Sequence, residues 1–197
     1  MDRGNLILIT GGARSGKSRM AEELASSLSS SSIINKRVIY LATAGAGDEE
    51  MQQRILRHQQ RRPRHWETIE ESYSVEAVIR ERGAETGVIL LDCLALLLSN
   101  WLFEYANNEK LDWSQFNQLS ESQSAQLLDR VAELAQTARD AASHVIVVTN
   151  EVGLGLVPDN PLGRIYRDLL GISNQIMASK ADEVYMIWVG IPQKIKG

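Results

Sequence analysis

Apolar runs of strand length recur along the chain at Leu6–Thr10, Arg37–Ala42, Val88–Asp92, His144–Thr149 and Glu183–Val189. Between most of them the apolar positions return at helical spacing, which predicts helices over Lys17–Ser29, Asp48–Arg62, Val75–Arg82, Ser114–Ala142 and Pro161–Lys180. Pro161 suits a first helical turn, where its missing N–H costs nothing. A further helix-like run follows Asp92. The alternation predicts an α/β fold, a mainly parallel sheet with helices on both faces. The last segment, "ADEVYMIWVGIPQKIKG", reads as two short strands around Gly190-Ile191-Pro192, adding one antiparallel strand at the sheet edge. The serine-rich patch Ser26–Ser32 reads as a helix end and a loop.

A length of 197 residues is most simply one domain over 1–197, and no internal repeat or linker interrupts it. With 44% hydrophobic and 23% charged residues, neither disorder nor a fibre is suggested. The net charge of -4 argues against nucleic acid or an anionic membrane as partner, since both need a basic surface. Cys93 is the single cysteine, so it can form neither an intrachain disulfide nor a thiolate metal site, which fits a reducing compartment and makes the cytoplasm the expected location. No leader precedes Leu6, and the longest apolar stretch, Val88 to Phe103, is broken by Asp92, Ser99 and Asn100 and falls short of a membrane span. A soluble protein is expected.

Candidate chemistry begins with "GGARSGKS", residues 11 to 18. Gly11, four residues, then Gly16-Lys17-Ser18 is the P-loop spacing, here with a predicted strand before it and a helix after it. Such a loop aims backbone N–H groups at phosphate oxygens, Lys17 adds a positive charge, Ser18 offers a hydroxyl to magnesium, and the helix N-terminus adds its dipole. A carboxylate at the end of another strand completes the metal site, and "VILLDC" offers Asp92; an aspartate at a strand exit also reads as a helix N-cap. Cys93 beside it reads as a small buried hydrophobe. "VIVVTNEVG" ends another strand with Thr149-Asn150-Glu151, at the sheet edge where ligands collect, or as a capping and turn cluster.

The stretch "DEEMQQRILRHQQRRPRHW", residues 48 to 66, reads as a helix with acids in its first turn and Arg61 and Arg62 in its last, stopped by Pro63. Met51, Ile55 and His58 share one face, so His58 reads either as a packed histidine or as a nucleophile whose free nitrogen attacks phosphorus to give a phosphoramidate. The nearby arginines read either as solvated or as triphosphate partners. His65 and His144 read as structural.

Together these segments resemble the bifunctional adenosylcobinamide kinase and adenosylcobinamide-phosphate guanylyltransferase family. The likeness runs nearly end to end, through "GGARSGKSRMAEELA", "YLATAGAGDEEMQQRILRHQQRRPRHWETIEE", "LLDCLALLLSNWL", "TNEVGLGLVPDNPLGRIYRDLLGISNQ" and "ADEVYMIWVGIPQKIK". It implies a RecA-like P-loop domain that phosphorylates adenosylcobinamide with ATP or GTP, then transfers GMP from GTP to adenosylcobinamide phosphate, releasing pyrophosphate. It implies that the guanylyl group rests on His58, that Lys17 is catalytic, and that Ser18 and Asp92 hold Mg2+. The nucleotide contacts it implies are Gly11, Gly12, Ala13, Arg14, Ser15, Gly16, Lys17 and Ser18, then Ala42, Thr43 and Ala44, then Gln59, Gln60, Arg61 and Arg62, with Glu70 and Asp92. It further implies a homotrimer. Asp92 stands where some relatives carry the longer glutamate, which leaves open whether it meets the metal directly or through water. A simple kinase with a packed His58 and a RecA-like nucleotide-dependent switch or filament module that binds nucleic acid or protein are the competing readings; the acidic charge and the lack of a basic, aromatic-interleaved loop count against the second.

Overall fold

The central strands are apolar on both sides, and successive residues go to two different cores. The computed structural model describes residues 3–31, 37–44, 62–108 and 119–197. In chain order these form β1 (Leu6–Gly11), α1 (Lys17–Ser31), β2 (Val38–Ala42), β3 (Glu67–Glu70), α2 (Val75–Arg82), β4 (Val88–Asp92), α3 (Leu94–Asn108), α4 (Glu121–Asp140), β5 (His144–Val148), α5 (Pro161–Lys180), β6 (Glu183–Trp188) and β7 (Ile191–Lys196). The strands make one sheet in the order β3-β2-β4-β5-β1-β6-β7, parallel throughout except for the antiparallel pair β6–β7. This is the α/β P-loop architecture expected, with the antiparallel strand at the edge.

Ile7, Ile9, Val38, Tyr40, Val88, Leu90, Ile146 and Val148 face the side covered by Ala21 and Ala25 of α1. Their neighbours Leu6, Leu8, Ile39, Leu41, Ile89, Leu91, Val145 and Val147 face the other side, against α2, α3, α4 and α5. All parallel strands end at one edge of the sheet. Gly11, Ala42, Glu70 and Asp92 therefore lie along that edge, each at the last residue of its strand.

Most predicted elements are present within two residues of their expected ends. The long helix expected over Ser114–Ala142 is helical from Glu121, because Ser120 caps it: Gln123 N donates to the Ser120 hydroxyl and Ser120 N donates to Gln123 Oε1. Residues 114 to 118 of that expectation lie outside the described residues, as does the helix expected over Asp48–Arg62, apart from Arg62 itself. Asn160 caps α5 by accepting from Gly163 N, with Pro161 in the first turn as predicted. Two elements go beyond the prediction. β3 is short and polar at three of its four positions, and α3 occupies the apolar run after Asp92 whose limits the pattern left undrawn.

The entrance to β6 is fixed by Asp182, which accepts two bonds from Arg3, one from the Leu6 backbone N–H and one from Arg139. The hydrogen bonds from Arg3, with the other donors, hold its carboxyl well below the usual aspartate range. A carboxylate whose folded-state value is depressed contributes stability that is complete above its unfolded value, near pH 4, and lost as pH falls below that. Asp182→Asn is therefore expected to cost about 2 kcal/mol at pH 7, with the gap to the parent narrowing as pH falls from about 4 toward 2. Urea midpoints at pH 7 and pH 2.5 measure this; an equal gap at both values excludes the charge as its cause.

Candidate active site

β1 is followed at once by the loop 11–16 and α1, as the P-loop spacing requires. Gly16 sits at φ +101°, which glycine adopts freely, and a Cβ there would lie 3.6 Å from Gly190 Cα in the β6–β7 turn. The turn thus stands beside the loop. Arg14 is also left-handed, at φ 55°, and is exposed. A Cβ on Gly11 would meet the Ile187 carbonyl oxygen at 2.6 Å, whereas one on Gly12 would meet nothing within 4 Å. The loop is tight against β6 beneath Gly11 and open at Gly12.

Lys17 is buried, and its Nζ donates to the Gly12 carbonyl oxygen at 2.7 Å. The ammonium is thereby held over its own loop. Ser15 Oγ is buried in the loop with no hydrogen-bond partner among the described residues, an arrangement that suits an incoming acceptor or donor. Ser18, half-buried, lies in the first turn of α1.

Asp92 ends β4, in register with Ala42 of β2 on one side and Val148 of β5 on the other. Its Oδ2 accepts from the Tyr40 hydroxyl at 2.6 Å. Burial, reinforced by the charge of Asp92, pushes that hydroxyl far above the ordinary phenol range, so it stays a donor. The Arg62 guanidinium lies 3.1 Å from the centre of the Tyr40 ring, and Arg62 Nε is 3.7 Å from Glu22 Oε1 of α1. Arg62, one of the residues predicted to contact nucleotide, is therefore packed between Tyr40 and Glu22, with its side chain 7% exposed.

Thr43 is fully buried and joins the ends of β2 and β4: its hydroxyl donates to the Cys93 carbonyl and accepts from Cys93 N, while its own N–H donates to the Asp92 carbonyl. Asn100 Nδ2 of α3 donates to the Thr43 and Ser72 carbonyls, which ties the strand ends to the helix. Ala42 and Ala44 flank Thr43 and are half-buried; Glu70 is exposed at the end of β3. Cys93 is half-buried and packs against both cores. Beyond β5, Thr149 is buried and donates to Asn174 Oδ1, Asn174 donates to the Asn150 carbonyl, and Glu151 N donates to Gly11 O. Glu151 Oε1 also accepts from Gly153 N, so this segment is a turn cluster that buttresses the P-loop.

His144 opens β5 and accepts from Asn5 N, the structural role expected. His65 is exposed in the turn before β3. His58, Gln59, Gln60 and Arg61 lie outside the described residues. Tyr40, Glu22, Asn100 and Asn174 were not among the predicted site residues. The one sequence signal for Tyr40 is a phenol in a buried strand, which needs a partner for its hydroxyl.

Magnesium takes oxygen donors, usually one or two from protein beside phosphate and water. The Ser18 hydroxyl and the Asp92 carboxylate are donors of that kind, and Asp92 keeps one oxygen clear of Tyr40.

A phosphate loop entered from a central parallel strand, with a lysine in its helix and a carboxylate two strands away, defines a P-loop nucleotide-binding α/β protein. Residues 7–195 match the family model described as cobinamide kinase / cobinamide phosphate guanyltransferase, and the chain belongs to that family. It is similar to the bifunctional adenosylcobalamin biosynthesis protein CobU of Escherichia coli, at 37% identity over 191 residues that cover 97% of this chain and 99% of the relative. It is 38% identical over 194 residues to CobU of Salmonella typhimurium, covering 97% and 99%, and 38% identical over 190 residues to CobP of Pseudomonas aeruginosa, covering 96% of each.

Proposed function

We propose that this protein phosphorylates adenosylcobinamide with ATP or GTP and then joins GMP from GTP to the new phosphate, giving adenosylcobinamide-GDP and pyrophosphate. The observation that carries the reading is the P-loop with Lys17 poised at Gly12, in a chain belonging to this family along nearly its whole length. In the first reaction the backbone N–H groups of residues 11 to 18 bind and orient the triphosphate, and Lys17 moves from the Gly12 carbonyl to the phosphoryl oxygens, where negative charge concentrates. Bound Mg2+ supplies charge neutralisation on those oxygens, with Ser18 and Asp92 as its protein donors. Ala42, Thr43, Ala44 and Glu70 border the same sheet edge and frame the nucleotide.

In the second reaction the His58 imidazole nitrogen attacks the α-phosphorus of GTP; an N–P bond forms, the P–O bond to the departing pyrophosphate breaks, and the imidazole proton is lost. The phosphate of adenosylcobinamide phosphate then attacks the same phosphorus and frees His58. Gln59, Gln60 and Arg61 follow His58 in sequence and are assigned to the nucleotide; Arg62, next in sequence, packs its guanidinium on the Tyr40 ring.

Among the described residues no helix is long and apolar enough to cross a membrane, and we assign the enzyme to the cytoplasm without a nucleic-acid partner. A homotrimer would cover the exposed apolar side chains Leu154, Leu156, Val157, Val189 and Ile191. The reading is tested by incubation with GTP labelled at the α-phosphate, followed by denaturing electrophoresis. A protein-bound label that survives denaturation and is released by acid is expected; a chain that turns over GTP with cobinamide yet never carries the label has no covalent step.

A further inference from the structure

We propose that Tyr40 is a positioning residue for Asp92, and that Arg62 and Glu22 hold Tyr40 in place for that task. The inference rests on the reading of Asp92 as the carboxylate that serves the nucleotide-bound metal. Its basis is one continuous line of contacts from the P-loop helix to the carboxylate. Glu22 lies on α1, whose first turn carries Lys17 and Ser18; its Oε1 is 3.7 Å from Arg62 Nε. The Arg62 guanidinium covers the Tyr40 ring at 3.1 Å, and the Tyr40 hydroxyl donates to Asp92 Oδ2 at 2.6 Å.

Packing explains the ring but not the hydroxyl. Tyr40 is 3% exposed and sits in the core between the sheet and α1, where a phenylalanine would fill the same space. A buried hydroxyl needs a partner, and here that partner is a carboxylate at the edge of the sheet where the phosphate loop opens. A carboxylate with one oxygen fixed can present its second oxygen in one direction only, as partners behind metal ligands commonly achieve. The Arg62 guanidinium covers the ring and so adds to the core packing that keeps the phenol in place. With Arg62 held by Glu22, the direction of Asp92 is set from the same helix that carries Lys17 and Ser18.

The test reads binding, with no turnover. A non-hydrolysable GTP analogue is titrated calorimetrically at a series of magnesium concentrations against the parent, Tyr40→Phe, Asp92→Asn and the double variant. Tyr40→Phe is expected to raise the magnesium concentration for half-maximal tightening by about tenfold or more, the scale of losing one hydrogen bond to a charged group. Analogue affinity without magnesium should stay within about twofold of the parent, because the loop is untouched. Asp92→Asn should raise the requirement at least as far, and Tyr40→Phe added to it should change nothing more. If Asp92→Asn leaves the requirement unaltered, the reading of Asp92 fails and the proposal with it. If Asp92→Asn raises it while Tyr40→Phe leaves it level or lowers it, Asp92 stands and the positioning role is wrong; multiplying effects in the double variant overturn it too. Arg62→Met is the second probe, since it keeps the hydroxyl: a rise in the same direction supports the proposal, and a parental value overturns the part assigned to Arg62 even if Tyr40→Phe does not fold.

Discussion

His58→Ala is expected to abolish guanylyl transfer while phosphorylation of adenosylcobinamide continues. The two reactions ask different things of the protein. Phosphoryl transfer needs the loop, the metal and alignment of the hydroxyl, none of which His58 supplies. Guanylyl transfer through an N–P bond needs the imidazole itself, and deleting a nucleophile commonly costs on the order of a thousandfold or more. On one preparation, adenosylcobinamide phosphate should accumulate and the protein should carry no α-phosphate label. A variant that still carries GMP moves the covalent role elsewhere, with His65 the next residue to test. Loss of both activities in a folded variant makes His58 part of a shared nucleotide site instead.

Lys17→Ala is expected to remove the kinase reaction by about a hundredfold or more, the scale of 3 kcal/mol of lost transition-state stabilisation. Nζ sits 2.7 Å from the Gly12 carbonyl oxygen, inside the loop assigned to the phosphates. The charge is already in place and largely shielded from water, which makes it worth more to a developing anion than a surface lysine. Single-turnover phosphorylation measures the effect, with thermal unfolding as the control for the fold. A folded Lys17→Ala enzyme within about tenfold of the parent contradicts the P-loop assignment. Guanylyl transfer by the same variant reports whether both reactions use this loop.

Where chain chemistry and burial act in the same direction, the sequence was a good guide. The doubly covered strands β1, β2, β4 and β5 are near-continuous aliphatic runs bounded by polar residues, so their limits were visible. β3 was not visible, because an edge strand of four residues with Thr68 and Glu70 exposed carries almost no hydrophobic signal. α3 hid for the opposite reason. It buries Leu94, Ala95, Leu97, Leu98, Trp101, Leu102 and Ala106 around much of its circumference, so its run merges with that of β4. The P-loop was legible because its chemistry lies in consecutive residues. The line from Glu22 through Arg62 and Tyr40 to Asp92 was not, since it exists only once α1, β2 and β4 are packed, and Arg62 on its own reads as a helix-end charge. Thr43 was foreseen as a nucleotide neighbour, but its hydroxyl is spent on Cys93 backbone groups, a bond that no spacing rule announces.

The strand order also governs when the phosphate loop can exist during protein synthesis. β1 is made well before its partners β5 and β6: Leu6 pairs with Val145, and Ile7 with Glu183. Glu151, whose N–H bonds the Gly11 carbonyl, and the β6–β7 turn beside Gly16 are made late as well. For most of translation the glycine loop therefore hangs from an aliphatic strand with no neighbour on either side, a species prone to wrong pairing. A nascent chain halted before β5 has the whole "GGARSGKS" sequence and neither of the strands that flank β1. The phosphate-loop signature after β1 gains both of its supporting neighbours only once β5 and β6, far downstream, have been made.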